Sequence, residues 1–101
     1  IPDKQETAEK LYRQALRYHP DARAFLGLGM LCQHRGDFAA ASDFIGRGLN
    51  HYPKDEALQM CMAVNHMNQG FYREALERLQ QMEQTSQTRE WIARCRAEMG
   101  A

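Results

Sequence analysis

The sequence predicts an all-α protein: about six helices, folded as antiparallel hairpins, and no strand. Three observations carry that expectation. Ala, Leu, Arg, Gln, Glu and Met are abundant while Val and Ile are scarce, a mix that favours helix over strand. Apolar residues recur at three- and four-residue spacing and never in sustained alternation. Breakers at Pro20, Gly36, Pro53 and Gly70 cut the chain into segments of helical length, and one segment's pattern returns about 34 residues later.

The first segment, about 3–18, sets Ala8, Leu11, Tyr12, Ala15 and Leu16 on one face and ends before Pro20. The second, about 21–34, carries Phe25, Leu28, Gly29 and Cys32, and the polar cluster His34-Arg35-Gly36-Asp37 reads as the turn past its C-terminus. The third, about 38–50, presents Ala41, Phe44, Ile45, Gly48 and Leu49 and stops before Pro53. The fourth, about 55–68, presents Leu58, Met62, Ala63 and His66, with Asn68-Gln69-Gly70 as its turn. The fifth, about 72–83, shows Ala75, Leu76, Leu79 and Met82. The sixth, about 87–99, shows Trp91, Ile92, Cys95 and Met99.

These segments repeat. Gly36, Phe38, Ala41 and Ile45 return one period later as Gly70, Tyr72, Ala75 and Leu79. Leu28 and Gly29 return as Met62 and Ala63. Ala41, Ile45, Leu49 and Pro53 have counterparts nearly one period earlier at Ala8, Tyr12, Leu16 and Pro20. A helix–turn–helix unit with this period resembles the tetratricopeptide repeat. Residues 22–55 match it best: Phe25 stands at the family's tryptophan position, Leu28-Gly29 matches its Leu-Gly pair, and Gly36, Phe38 and Ala41 match the turn glycine, the aromatic and the alanine of the second helix. Gly48 replaces a usual alanine, and Ile45, Leu49 and Pro53 complete the unit. Residues 56–87 form a second unit in which Gln59 replaces the large aromatic and Gln87 the terminal proline. Residues 1–20 read as the second helix of a partial unit and 88–101 as a capping helix with Arg89, Glu90, Arg94, Arg96 and Glu98 on its outer face. The whole chain, 1–101, is expected to be one domain, which the resemblance implies is a right-handed superhelix of hairpins.

Physics supports the pattern. Small residues such as Gly29, Ala41, Ala63 and Ala75 let helices approach closely, and larger ones such as Phe25, Ile45 and Leu79 fill the space beside them. A single hairpin cannot bury its apolar face, so neighbours must stack. The first helix has no partner of its own ahead of it, which leaves the stripe of Leu11 and Tyr12 half covered. That suggests a piece of a longer protein, a second copy covering the gap as a homodimer, or a non-catalytic appendage of a larger enzyme.

The resemblance implies that partners bind on the concave side, lined by the first helix of each hairpin. The positions that map there are Arg23, Leu26, Met30, Gln33 and His34 from one hairpin, and Ala57, Met60, Val64, Met67 and Asn68 from the next. The family's carboxylate clamp is missing: Leu26 and Met30 stand where Lys and Asn are needed, and Ala57 and Cys61 at the matching positions of the next unit. The expected groove is instead apolar and rich in methionine, a flexible side chain common on adaptable surfaces. Such a groove accepts a peptide or the apolar face of a helix. The alternative is that these methionines pack against a further hairpin or the capping helix.

Other function classes find little support. Thirteen basic residues balance thirteen acidic ones, against the basic excess of a nucleic-acid binder or an anionic-membrane ligand. No apolar run approaches the roughly 20 residues of a membrane span. Ile1-Pro2-Asp3-Lys4 has no signal-peptide layout. Cys32, Cys61 and Cys95 are distant and unpaired in pattern, which disfavours a disulfide framework or zinc site and fits the reducing cytoplasm. His19, His34, His51 and His66 are dispersed, though His34 and His66 end neighbouring helices. No phosphate loop, nucleophile elbow or catalytic triad is visible. The expectation is a protein-binding scaffold that uses no cofactor or metal and is not an enzyme.

Overall fold

A computed structural model describes residues 4–100, apart from the side chain of Gln5. Six helices follow one another: α1 Lys4–Tyr18, α2 Ala22–His34, α3 Phe38–His51, α4 Glu56–Asn68, α5 Tyr72–Gln81 and α6 Ser86–Glu98. No strand occurs among the described residues. Helix ends fall within two residues of those expected from the breakers. The expected start of the first helix at residue 3, and residues 1, 2 and 101 of the expected domain, lie outside the described residues.

The ends are fixed by local chemistry. Asp21, Asp37 and Asp55 each accept a hydrogen bond from the backbone N–H three residues on, at 2.9, 3.2 and 2.9 Å, and so cap α2, α3 and α4. Thr85 does the same for α6 at 3.1 Å. At the other ends, Gly36 and Gly70 take φ of 80° and 81°, which a side chain resists. Each closes the same motif: Gly36 N–H donates to Gln33 O and Asp37 N–H to Cys32 O, while Gly70 donates to Met67 O and Phe71 to His66 O. The two turns are copies of one structure, set one period apart in the chain.

Consecutive helices pack against each other, and α2 also packs on α4. The molecule is elongated, 47 × 28 × 21 Å, with a radius of gyration of 14.3 Å against about 13 Å for a compact chain of this length. It therefore has two core clusters in series. Phe25, Ala41, Ile45, Leu58, Cys61 and Met62 form the first, and Ala63, Met67, Ala75, Leu79, Ile92 and Cys95 the second. α4 supplies both, so it is buried on two sides. Close approach is real: a Cβ on Gly29 would stand 2.5 Å from Ile45 Cγ1. A buried polar tie sits between α3 and α4, where Asn65 Nδ2 donates to Ser42 Oγ at 2.7 Å and to Phe38 O at 3.1 Å. Across units, Tyr52 donates its hydroxyl to Pro20 O at 2.9 Å.

α1 covers only one side of its stripe. Leu11 is 61% and Tyr18 72% exposed. Its tie to α2 is partly ionic: Glu9 sits 3.1 Å from both Arg13 and Arg35. Hydrogen bonds from Arg13 and then Arg35 hold its carboxyl below the usual range.

Candidate functional site

One face of α2 and one face of α4, at the edge of the two cores, converge on the start of α6. From α2 come Leu26, Met30 and Gln33, at spacings of four and three residues. From α4 come Ala57, Met60, Cys61 and Val64, again one stripe, together with Glu56 in the first turn. The third wall is Met82 and Glu83 from the α5–α6 connection and Thr85, Gln87 and Thr88 from the start of α6. They enclose a cleft of about 510 Å³.

The walls are held in place by their own hydrogen bonds. Gln33 Nε2 donates to Cys61 O at 3.0 Å, which couples the exposed faces of α2 and α4. On the third wall, Thr88 Oγ1 donates to Glu83 O at 3.0 Å, and Gln84 Nε2 donates to Met82 O at 2.8 Å and Leu79 O at 3.1 Å. Thr88 is buried while Met30, opposite, is 55% exposed. The cleft thus joins a fixed polar backbone frame to adaptable apolar side chains. A second depression of about 450 Å³ lies between α1 and α2 and shares Leu26 and Met30 with the first, so the concave surface continues across α2.

The expected groove residues divide into four groups. Leu26, Met30, Gln33, Met60 and Val64 line the cleft, as does Ala57. Arg23 lines the neighbouring depression instead, its guanidinium 3.7 Å from the Asp21 carboxylate and otherwise in solvent. His34 and Asn68 are exposed at the C-terminal ends of α2 and α4, outside the cleft. Met67 is buried in the second core with Ala75, Leu79, Ile92 and Cys95. Of the two roles open to the methionines, Met67 takes packing and Met30 takes the surface.

The whole third wall is invisible to the periodic pattern. In sequence Met82 belongs to the stripe of the fifth helix, and Thr85 carries a capping signal that apolar spacing passes over. Only the fold brings them opposite α2 and α4.

The cleft contains no strong nucleophile. Burial pushes the Cys61 thiol up to about 11, with Gln33 opposing weakly. Among the described residues no lysine or arginine lines it. His66 lies elsewhere, beside Phe71 and in a small polar depression with Glu74, Glu77 and Arg78. Its imidazole is held below its usual range by burial first and Arg78 second. No group of three or more potential metal ligands occurs among the described residues, and no helix there is long and apolar enough to cross a membrane.

The tetratricopeptide repeat model matches residues 5–64, which spans α1 to α3 and most of α4. The chain belongs to the tetratricopeptide repeat family. No curated protein and no solved structure matches it.

Proposed function

We propose that this chain is a non-catalytic interaction module that holds an apolar segment of a protein partner, as a helix or an extended peptide, in the cleft between α2, α4 and the start of α6. Repeats of this family generally mediate protein–protein contacts, and the cleft is the observation that carries the reading. Its lining is largely apolar, its frame is hydrogen-bonded, and Met30 and Ala57 offer exposed apolar surface to a ligand. The three free thiols of Cys32, Cys61 and Cys95 support a place in the reducing cytoplasm.

The test uses peptides selected against the chain from a random displayed library. Leu26 and Met60 also pack the cores, so replacing them confuses binding with folding. Met30→Gln with Ala57→Gln is the cleaner variant: both positions are exposed, glutamine is a good helix former, and no charge is added. Affinity should fall about tenfold as apolar contact is lost and amides are buried. With methyl-labelled methionine, the resonances of Met30, Met60 and Met82 should shift on binding while core Met62 stays still. Selected peptides that leave those three methyls unmoved would end the proposal.

A second reading, self-association through α1, is favoured by the exposure of Leu11 and Tyr18. Sedimentation as a monomer at every concentration excludes it.

A further inference from the structure

The cleft is apolar, but its charge is one-sided. Apart from the Cys61 thiol, its ionisable lining among the described residues is two carboxylates on different walls, Glu56 at the start of α4 and Glu83 in the connection to α6. Neither is held in an ion pair among the described residues. The helix dipole does not cancel them. The N-terminus of α4 contributes about half a positive charge, against full negative charges on Asp55, its cap, and on Glu56. The nearest cations along the chain are Lys54 beside Glu56, and Arg78 and Arg89 on either side of Glu83. Arg78 lines the depression beside His66 and Arg89 the one with Gln80 and Arg96, so neither lines the cleft. Arg23 faces the depression between α1 and α2 and is offset by Asp21.

A ligand filling this cleft displaces water from beside both carboxylates. An apolar ligand with neutral or acidic flanks leaves them less solvated and uncompensated, which costs free energy. A ligand with cationic flanks replaces the lost hydration with direct attraction. We propose that the partner segment is an apolar stretch bordered by lysine or arginine, its apolar side chains seated between Met30 and Met60 and its basic flanks against Glu56 and Glu83. This rests on the cleft being the binding site.

The experiment extends the displayed-library selection to wild-type chain, Glu56→Gln, Glu83→Gln and the double variant, with circular dichroism confirming unchanged helix content. Wild type should enrich peptides with apolar centres and Lys or Arg flanks. Affinity for those peptides should drop about threefold for each single variant and about tenfold for the double, in line with partly exposed ion pairs. Added salt should weaken wild type and leave the double variant nearly unaffected. Peptides that shift the Met30, Met60 and Met82 methyls but carry neutral or acidic flanks would overturn this inference and leave the interaction reading intact. Peptides that bind without touching those methyls would overturn both.

Discussion

Gly46 and Gly48 stand two residues apart in α3, and replacing each by alanine should move stability in opposite directions. Alanine in a helix interior is favoured over glycine by about 0.5–1 kcal/mol at either site. At Gly46 a new Cβ meets nothing closer than Met62 Cε at 3.8 Å, an ordinary contact, so the gain stands. At Gly48 the same Cβ would lie 2.7 Å from Phe25 Cβ and 3.1 Å from both Phe25 Cγ and Leu58 Cδ1. Phe25 Cβ is fixed to the backbone of α2, so no rotamer change moves it away. Relief requires α2 and α3 to part by about 1 Å, given carbon contacts of about 3.5–4.0 Å. Overpacking of this kind costs about 1–3 kcal/mol, which exceeds the propensity gain. Gly46→Ala should therefore stabilise by about 0.5–1 kcal/mol and Gly48→Ala destabilise by about 1 kcal/mol. The expected gap of about 2 kcal/mol is about 10 °C in midpoint temperature for a domain of this size. Urea unfolding followed by far-ultraviolet circular dichroism measures it, provided the denaturant slope is unchanged. A Gly48→Ala protein as stable as Gly46→Ala would refute the claim that α2–α3 contact, and not the turn or the period, excludes the family's usual alanine.

Asn65→Ala should cost about 1–2 kcal/mol, since it removes hydrogen bonds to Ser42 and Phe38 O, offset in part because the buried Asn65 Oδ1 has no partner to lose. A double-mutant cycle with Ser42→Ala should return a coupling of at least about 0.5 kcal/mol, and a value near zero contradicts the tie. Cys61 should resist alkylation at pH 8 in the folded chain and react on unfolding. Its folded thiol is raised from 9.0 to about 11, so the unfolded chain loses that proton first. The associated stability is fully present below pH 9 and is lost as pH rises towards 11, about 2–3 kcal/mol in all. Cys61→Ala should flatten that part of the stability profile, and an unchanged slope refutes the assignment.

The fold was legible because its signals are local. Gly36 and Gly70 mark turns by backbone chemistry that only adjacent residues determine, and the apolar stripes of α1 to α3 each face one side. α4 was harder. It is buried on two sides, so a single stripe of Leu58, Met62, Ala63 and His66 omits Cys61, Asn65 and Met67. Asn65 is 0% exposed, yet it looks like a surface residue in sequence. Its partners lie on α3, and no spacing within α4 announces them. The three aspartate caps are readable and carry no weight in the periodic pattern; Asp21 returns one period later as Asp55, whereas Asp37 gives way to Phe71, which makes no side-chain cap.

The groove shows where periodicity stops being informative. Gln33 and Met67 occupy equivalent positions in successive units, and both map to the concave surface. Gln33 donates to the backbone of Cys61 on α4, and Met67 packs in one cluster with Cys95 on α6. Cys95 itself stands one period after Cys61, as Ile92 does after Leu58, and all four are buried. The repeat therefore continues into α6 at the packing level, where the polar outer face suggests only a cap. Equivalent positions nonetheless differ in their surroundings: Gln33 lines the cleft while tied to α4, and Met67 is buried in the second core. Met30 stays exposed about one turn nearer the start of α2. Residue type then decides only what the cleft presents, which here is an apolar centre between two carboxylates.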